Sequence, residues 1–204
     1  MAQIEGSTNS IIRPVRSPRG SPAVRHFQES TCASSKVIRR GDPVTFDTVV
    51  TTALRIVQAP SSQGAVGNLL QNGIVSLVGI ALADSTSDGS TLGQTASTAR
   101  YSGAKYIPVA LADGLTEFSV TISSVGAAPL AVASSMIGTT YPLEINRTFN
   151  RWFLASTNLS TAADLSVVVT DVPSESIGDT GGVVYFKFLS TMVSRAVRVG
   201  GPFT

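Results

Sequence analysis

The sequence predicts an all-β protein whose body is an antiparallel β-sandwich or barrel and whose N-terminus is an extended, basic arm. Three observations lead to this prediction: apolar and polar residues alternate, turn dipeptides separate the alternating runs, and small hydroxyl residues replace much of the usual charged surface. Only 14% of the residues are charged, against roughly 25% in an average soluble domain. In contrast, 27 serines and 21 threonines are spread along the chain.

The arm is predicted from an uneven distribution of charge. Residues 1–40 contain seven bases and two acids, a balance of +5, whereas residues 41–204 contain eight bases and eleven acids, a balance of −3. Pro14, Pro18 and Pro22 favour extended backbone over helix in the first segment. We therefore expect two parts, an extended N-terminal arm at 1–40 and a β-rich body at 41–204.

The arm is the candidate binding element because it combines basic and apolar residues. Its candidate site residues are Arg13, Arg16, Arg19, Arg25, Phe27, Lys36, Arg39 and Arg40. Such an arm could contact nucleic-acid phosphates, but +5 is a small balance and Phe27 is its only Phe, Tyr or Trp for base stacking. Nucleic acid is therefore not the expected partner. Ile11, Ile12 and Ile38 indicate docking on protein, with a solvated tail as the alternative.

The strands of the body are predicted from alternation with period two. The pattern is clearest in Thr116–Ile122 and Val183–Leu189, where every second residue is large and apolar. Two short segments, Ala65–Leu70 and Leu159–Asp164, could be helical turns. Further strands are predicted at Val44–Val50, Thr52–Gln58, Lys105–Ala110, Tyr141–Ile145, Arg151–Leu154, Leu165–Val172 and Ala196–Val199.

Turn and loop signals divide these strands. Asp113-Gly114 lies between two alternating runs and predicts a hairpin. Residues 84–104 have almost no large apolar residue and predict a long loop, either a binding element or a disordered segment. Val125–Ser135 is a softer break that could separate two halves of the body. No repeat of fixed period is found, which argues against a solenoid or a propeller.

Catalytic and metal-binding groups are scarce in the sequence. The one histidine, His26, and the one cysteine, Cys32, both lie in the arm, where a catalytic base would not be held by packing. Two such residues are too few for a zinc site, and no glycine-rich phosphate loop with its lysine is present. We expect no enzymatic activity, no catalytic residue, no metal and no cofactor.

The location of the protein is predicted from its apolar runs. The N-terminus lacks the apolar core of a secretory signal. The most apolar stretch, Ile74–Ala83, is about half as long as the roughly twenty residues of a membrane span. We expect a soluble protein that is made in the cytoplasm and has no membrane partner.

Beyond these patterns, the order of several motifs resembles the capsid decoration (cement) proteins of tailed bacteriophages. The resemblance covers residues 40–190 and leaves the arm outside. Its motifs are compositional and ordered along the chain, and none of them is catalytic. They are Arg40–Val44 (RGDPV), Ile74–Ala81 (IVSLVGIA), Tyr106–Ala110 (YIPVA), Gly138–Leu143 (GTTYPL), Arg151–Leu154 (RWFL), Leu165–Val172 (LSVVVTDV) and Gly182–Leu189 (GVVYFKFL).

The resemblance implies a structural protein on the outer capsid surface of the virion. Its partner would be the major capsid protein, bound across neighbouring subunits, with residues 1–40 acting as a strap along the shell. Such a protein would be a homo-oligomer, with a trimer as the expected form. The segments at Ala59–Gly73 and 84–104 are longer than in the family, and the basic arm is an addition.

Two other functions agree with the same composition. One is an icosahedral coat protein with a jelly-roll body and a genome-binding basic arm. The other is a tail or fibre component that binds host surface glycans. The first would assemble shells by itself, the second would bind host cells, and a cement protein would do neither.

Overall fold

The computed structural model describes residues 11–18, 20–29, 38–46, 55–59, 77–84, 106–123, 131–146, 151–155 and 166–190. Within these residues the regular structure is almost entirely β, so the predicted fold class is confirmed. Two short 3-10 turns, Ser134–Met136 and Ser174–Ser176, are the exceptions. The strands are β1 (Arg13–Arg16), β2 (Val24–Glu29), β3 (Pro43–Phe46), β4 (Arg55–Gln58), β5 (Leu77–Ala81), β6 (Tyr106–Leu111), β7 (Glu117–Ser123), β8 (Thr140–Asn146), β9 (Arg151–Ala155), β10 (Ser166–Asp171) and β11 (Val183–Phe188).

The strands form two closed barrels that follow one another along the chain. In the first barrel the strands are hydrogen-bonded in the order β2-β4-β3-β5-β6. In the second, β7, β11, β10, β8 and β9 pair in sequence, and a further pairing of β7 with β9 closes the ring. β1 lies outside this ring and pairs with Glu117–Ser119 at the start of β7, whereas β9 pairs with Ile122 and Ser123 at its end. Closure leaves each barrel without an open sheet edge of its own.

The two barrels have the same connectivity. In each, the first strand runs parallel to the third and antiparallel to the fifth, and the remaining neighbours are antiparallel. The register corresponds as well: Phe27 faces Ile107 in the first barrel, as Phe118 faces Phe186 in the second. The pairings between other strands also join equivalent residues, for example Val44 with Gln58 in the first barrel and Leu143 with Leu154 in the second, so the strands have the same stagger. The molecule is therefore a structural tandem repeat.

This repeat has no fixed period, which explains why the sequence does not reveal it. Phe27 and its equivalent Phe118 are 91 residues apart, whereas Pro43 and Pro142 are 99 apart and Tyr106 and Tyr185 only 79 apart. The loops of the two barrels differ in length by several residues. A search at constant spacing therefore fails.

The joint between the barrels corrects two expectations. Asp113-Gly114 does form a turn, because Asp113 Oδ1 accepts the N–H groups of Leu115 and Thr116 at 3.0 and 2.7 Å and Gly114 has a φ of 77°. The predicted hairpin is wrong, since β6 and β7 pair with strands of different barrels. The division expected at Val125–Ser135 is also wrong, because this segment lies between two strands of the second barrel.

The described part of the arm is extended, and it is built into the sheets. β2 pairs with β6 over five residue pairs and is a strand of the first barrel. Ile12, Phe27 and Ile38 are buried, so these arm residues dock on protein, and the protein is this chain itself. The chain from β2 onward therefore belongs to the body, although the predicted boundary lies at residue 40.

Other expectations fall outside the described residues. These are the helical turns at Ala65–Leu70 and Leu159–Asp164, the strand at Ala196–Val199 and nearly all of the loop at 84–104. The remaining predicted strands have counterparts within a few residues of their predicted ends.

Candidate interaction surfaces

The first candidate surface surrounds Arg16, a residue predicted to bind a partner. β1 pairs with β7 so that Arg16 lies opposite Glu117. Its Nε donates to Glu117, and its Nη2 donates to Asp171 at 3.0 Å. The guanidinium carbon lies 5.7 Å from the centre of the Tyr185 ring, within the range of a cation–π contact. We call Arg16, Glu117, Asp171 and Tyr185 the Arg16 site.

The electrostatics of the Arg16 site favour a bound guanidinium. The hydrogen bond and charge of Glu117, followed by those of Asp171, raise the pKa of Arg16. Lys187 Nζ lies 3.5 Å from the other oxygen of Glu117 and balances part of its charge. Two carboxylates beside an aromatic face form a receptor for an arginine, because a planar guanidinium can donate in two directions and stack at once.

The other predicted arm residues are not gathered into one patch. Arg13 and Arg25 are exposed on β1 and β2, and Arg40 is exposed just before β3. Phe27 is buried in the first barrel with its ring 5.8 Å from that of Phe46. Arg39 is half-buried. Arg19 and Lys36 lie outside the described residues.

A buried junction holds the two barrels together. Asp42, at the start of β3, accepts a hydrogen bond from Trp152 Nε1 at 3.0 Å, and Trp152 belongs to the second barrel. The same carboxylate accepts from Gln58 Nε2 and from the backbone N–H of Arg39, both at 2.8 Å. Burial raises the pKa of Asp42 to about 7, while these hydrogen bonds and the charge of Arg39 act in the opposite direction.

The N-terminal segment also reaches this junction. A Cβ on Gly41 would come within 2.5 Å of Ile11 Cγ2 and 3.1 Å of the Ile12 backbone nitrogen. Gly41 has a φ of 90°, a conformation that glycine adopts without strain. The residues just before β1 therefore pack against the first barrel, and β1 itself pairs with the second.

The second candidate surface consists of two turns with the same sequence pattern, Ser134–Gly138 (SSMIG) and Ser174–Gly178 (SESIG). Each contains one 3-10 turn closed by the same hydrogen bonds, and the segments pair through Ala131 and Thr180. The isoleucine of each turn points outward: Ile137 is 48% and Ile177 is 51% exposed. We call them the twin turns.

The twin turns carry acidic but no basic residues. Glu175 and Asp179 are exposed there, and no lysine or arginine occurs in 131–139 or 171–182. The glycines that end the turns, Gly138 and Gly178, have φ values of 82° and 90°. The surface therefore offers two fixed apolar side chains among hydroxyls and carboxylates.

The basic pattern of the arm indicates Arg16 as a site residue, but the sequence does not indicate its partners Glu117, Asp171 and Tyr185. Glu117 is 101 residues from Arg16 and Asp171 is 155 residues from it, so no local spacing relates them. The twin turns did leave a signal, because the pattern S-x-x-I-G occurs twice, 40 residues apart.

The described ranges contain few groups that could serve catalysis or metal binding. No group of three or more His, Cys, Asp or Glu residues that could hold a metal ion is found there. His26 is exposed on β2, and Cys32 lies outside these ranges. Among the described residues, no helix is long and apolar enough to span a membrane.

No protein-family model matches the chain, and neither the curated proteins nor the solved structures contain a significant match to it.

Proposed function

We propose that the protein is a structural virion component that decorates and stabilises a tailed-phage capsid by binding across neighbouring major capsid subunits. The twin turns are the observation that carries this proposal. They place two exposed isoleucines, Ile137 and Ile177, at the end of a closed barrel whose backbone hydrogen bonds fix their positions. Paired apolar anchors on a rigid element are typical of binding surfaces.

The tandem barrel suits a protein that must bridge subunits. The hydrogen bond between Asp42 and Trp152 and the pairing of β1 with β7 tie both barrels into one body. Such a body can contact two neighbouring subunits without the ordering cost that a flexible linker would add.

In this proposal, fewer residues of the N-terminal arm contact the capsid than in a strap formed by all of residues 1–40. Arg16 and Phe27 are already engaged within the chain. Among the other described arginines of the arm, Arg13, Arg25 and Arg40 are exposed. A capsid contact by the arm would therefore use these exposed arginines and not the whole of residues 1–40.

The test measures binding to expanded empty capsids that lack the protein. We expect saturable co-sedimentation at a fixed stoichiometry and a higher temperature of genome release when filled capsids are decorated. Self-assembly of the chain into shells would instead indicate a coat protein, and saturable binding to host glycans would indicate a tail or fibre component. Either result without capsid binding would overturn the proposal.

A double variant, Ile137→Ser with Ile177→Ser, locates the contact. Burial of an isoleucine contributes roughly 1.5–3 kcal/mol, so the double variant should bind capsids at least about tenfold more weakly. Leu115→Ser is the matched control, because Leu115 is 36% exposed in the joint between the barrels. If both variants bound capsids equally well, the twin turns would not be part of the capsid interface.

A further inference from the structure

The first barrel has a face equivalent to the one that binds Arg16 on the second. The common register places Tyr106 at the position of Tyr185, and Val24 at the position of Leu115. Tyr185 is half-buried beneath Arg16, whereas Tyr106 is 60% and Val24 is 47% exposed. Arg16 covers the tyrosine on the face of the second barrel, whereas the tyrosine on the equivalent face of the first barrel is exposed.

An acidic residue accompanies the tyrosine on both faces. Asp171 ends β10, four residues after Val167, and Asp84 follows β5, three residues after Ala81, the equivalent of Val167. The extra residue in the second barrel is the irregularity between Val169 and Asp171.

These two aspartates are also held in similar ways. Asp171 Oδ1 accepts the backbone N–H of Val172 at 2.9 Å, and Asp84 Oδ1 accepts that of Arg40 at 2.7 Å. Each barrel therefore presents a tyrosine ring with a positioned carboxylate beside it.

The two faces differ at the position of Glu117, the second carboxylate of the Arg16 site. Glu117 corresponds to His26, which is exposed on β2. The face of the first barrel therefore offers one carboxylate where the Arg16 site offers two. We expect it to bind a guanidinium more weakly and reversibly, which suits a contact between molecules.

The sequence contains a second segment of the kind that fills the Arg16 site. Arg13–Arg16 reads R-P-V-R, and Arg195–Arg198 reads R-A-V-R. The second segment lies outside the described residues and continues as Val199-Gly200-Gly201-Pro202. It shares with β1 two arginines three residues apart and a valine before the second of them, which in β1 is the arginine that lies over the tyrosine.

We propose that Arg195–Arg198 of a second copy of this chain binds the face of the first barrel formed by Tyr106, Asp84 and His26. Arg198 would stack on the Tyr106 ring beside Asp84, as Arg16 stacks on Tyr185 beside Asp171. Tyr106 is 60% exposed, so its ring is accessible to a neighbouring copy. This proposal does not depend on capsid binding.

Such a contact joins unlike surfaces of two copies. A head-to-tail interface of this type either closes into a ring or continues as a filament. Closure into a ring of three would give the trimer that the resemblance implies, and the extent of association would depend on protein concentration.

The first experiment measures self-association of the full chain by analytical ultracentrifugation. Tyr106→Ala should weaken association by about fivefold or more, the loss expected for one cation–π contact of roughly 1 kcal/mol. Arg198→Ala should have a similar effect. Tyr185→Ala is the matched control and should leave the oligomer unchanged, because Tyr185 is engaged by Arg16 within the chain.

The second experiment identifies the occupant by photo-crosslinking. p-Benzoylphenylalanine replaces Tyr106, and heavy-isotope and normal copies of the chain are mixed before irradiation. We expect crosslinks from position 106 to peptides containing Arg195 or Arg198, with half of them joining heavy to normal chains. Crosslinks only within one chain, to another segment, or not at all would overturn the proposal, as would a monomer at every concentration tested.

Discussion

The two barrels share their strand order and stagger but are filled differently. The second contains several buried rings: Phe118 lies 5.8 Å from Phe186 and 5.4 Å from Phe188, and Trp152 on β9 is also buried. At the positions of Phe186, Phe188 and Trp152 the first barrel has Ile107, Val109 and Ile56. Alternation and closure therefore specify this barrel, whereas the sizes of the side chains that fill its core can vary.

Polar burial separates the barrels further. Asp42 is 2% and Glu29 is 4% exposed in the first barrel, and their equivalents in the second are Tyr141 and Val120. A buried carboxylate is costly unless it is hydrogen-bonded. Asp42 has three donors around it. At these two positions the first barrel therefore buries a carboxylate where the second barrel has an aromatic or aliphatic side chain.

The buried carboxylate of Asp42 should make the stability of the protein depend on pH, and this is the greatest change that we expect. Burial raises the pKa of Asp42 to about 7, whereas an aspartate in an unfolded chain titrates near 4. Between these values Asp42 binds its proton more tightly in the folded protein, so its contribution to the free energy of unfolding decreases as pH rises from 4 to 7. The decrease should reach about 4 kcal/mol and level off above pH 7.

Asp42→Asn should abolish this decrease, because the amide does not titrate. The matched control is Tyr141→Phe at the equivalent position, which should retain the full slope between pH 4 and 7. Urea unfolding at intervals across this range measures both variants. An unchanged slope in Asp42→Asn would show that Asp42 is not the group responsible.

The next effect tests how closely the strands of the first barrel approach. A Cβ on Gly79 would lie 2.0 Å from the carbonyl oxygen of Ala110 and 2.9 Å from Val109 Cγ1. Because the first atom is backbone, relief requires β5 and β6 to separate. We expect Gly79→Ala to lower the free energy of unfolding by about 3 kcal/mol, near the upper end of the usual cost of overpacking.

Gly182→Ala in the second barrel provides the graded comparison. There the new Cβ would meet Ser176 O and Val132 Cγ2 at 3.0 Å each, so small shifts suffice and the loss should be clearly smaller. Chemical denaturation of both variants under the same conditions ranks them. A larger loss at Gly182 would contradict the assigned close approach of β5 to β6.

The sequence predicted the fold class because burial follows the alternation in strands such as β11, where Val184, Phe186 and Phe188 are buried and Val183, Tyr185 and Lys187 are not. It missed β2 because Val24, Arg25 and His26 are all exposed, leaving only Phe27 and Glu29 to mark a buried face. The basic residues of this proline-rich segment therefore indicate an extended arm and not a strand of a barrel.

The candidate site could be predicted only in part, for a related reason. Arg16 is visible as a basic residue, but its two carboxylates come from distant strands that only the closure of the second barrel brings together. Asp42 stands in an R-G-D-P turn that gives no indication of Trp152, 110 residues away. Local patterns specify strands and turns, whereas a site at a barrel junction depends on the register of all of them.

The smallest expected effect distinguishes β1 from the strands that close the barrels. Arg16→Ala removes two ion pairs made by a side chain that is 54% exposed and therefore screened by water and salt, and Lys187 still lies 3.5 Å from the less exposed Glu117. The denaturation midpoint should therefore change little. Its effect should be local: amide hydrogens of Arg13 and Ser119 should exchange faster, because β1 adds only three residue pairs to β7 and loses its anchor. Arg13→Ala, which removes an exposed arginine from the same strand, should leave exchange at Ser119 unchanged. Faster exchange throughout β7 and β11 in Arg16→Ala would mean that β1 is part of the second barrel's cooperative unit, and the distinction between a bound strand and a barrel strand would fail.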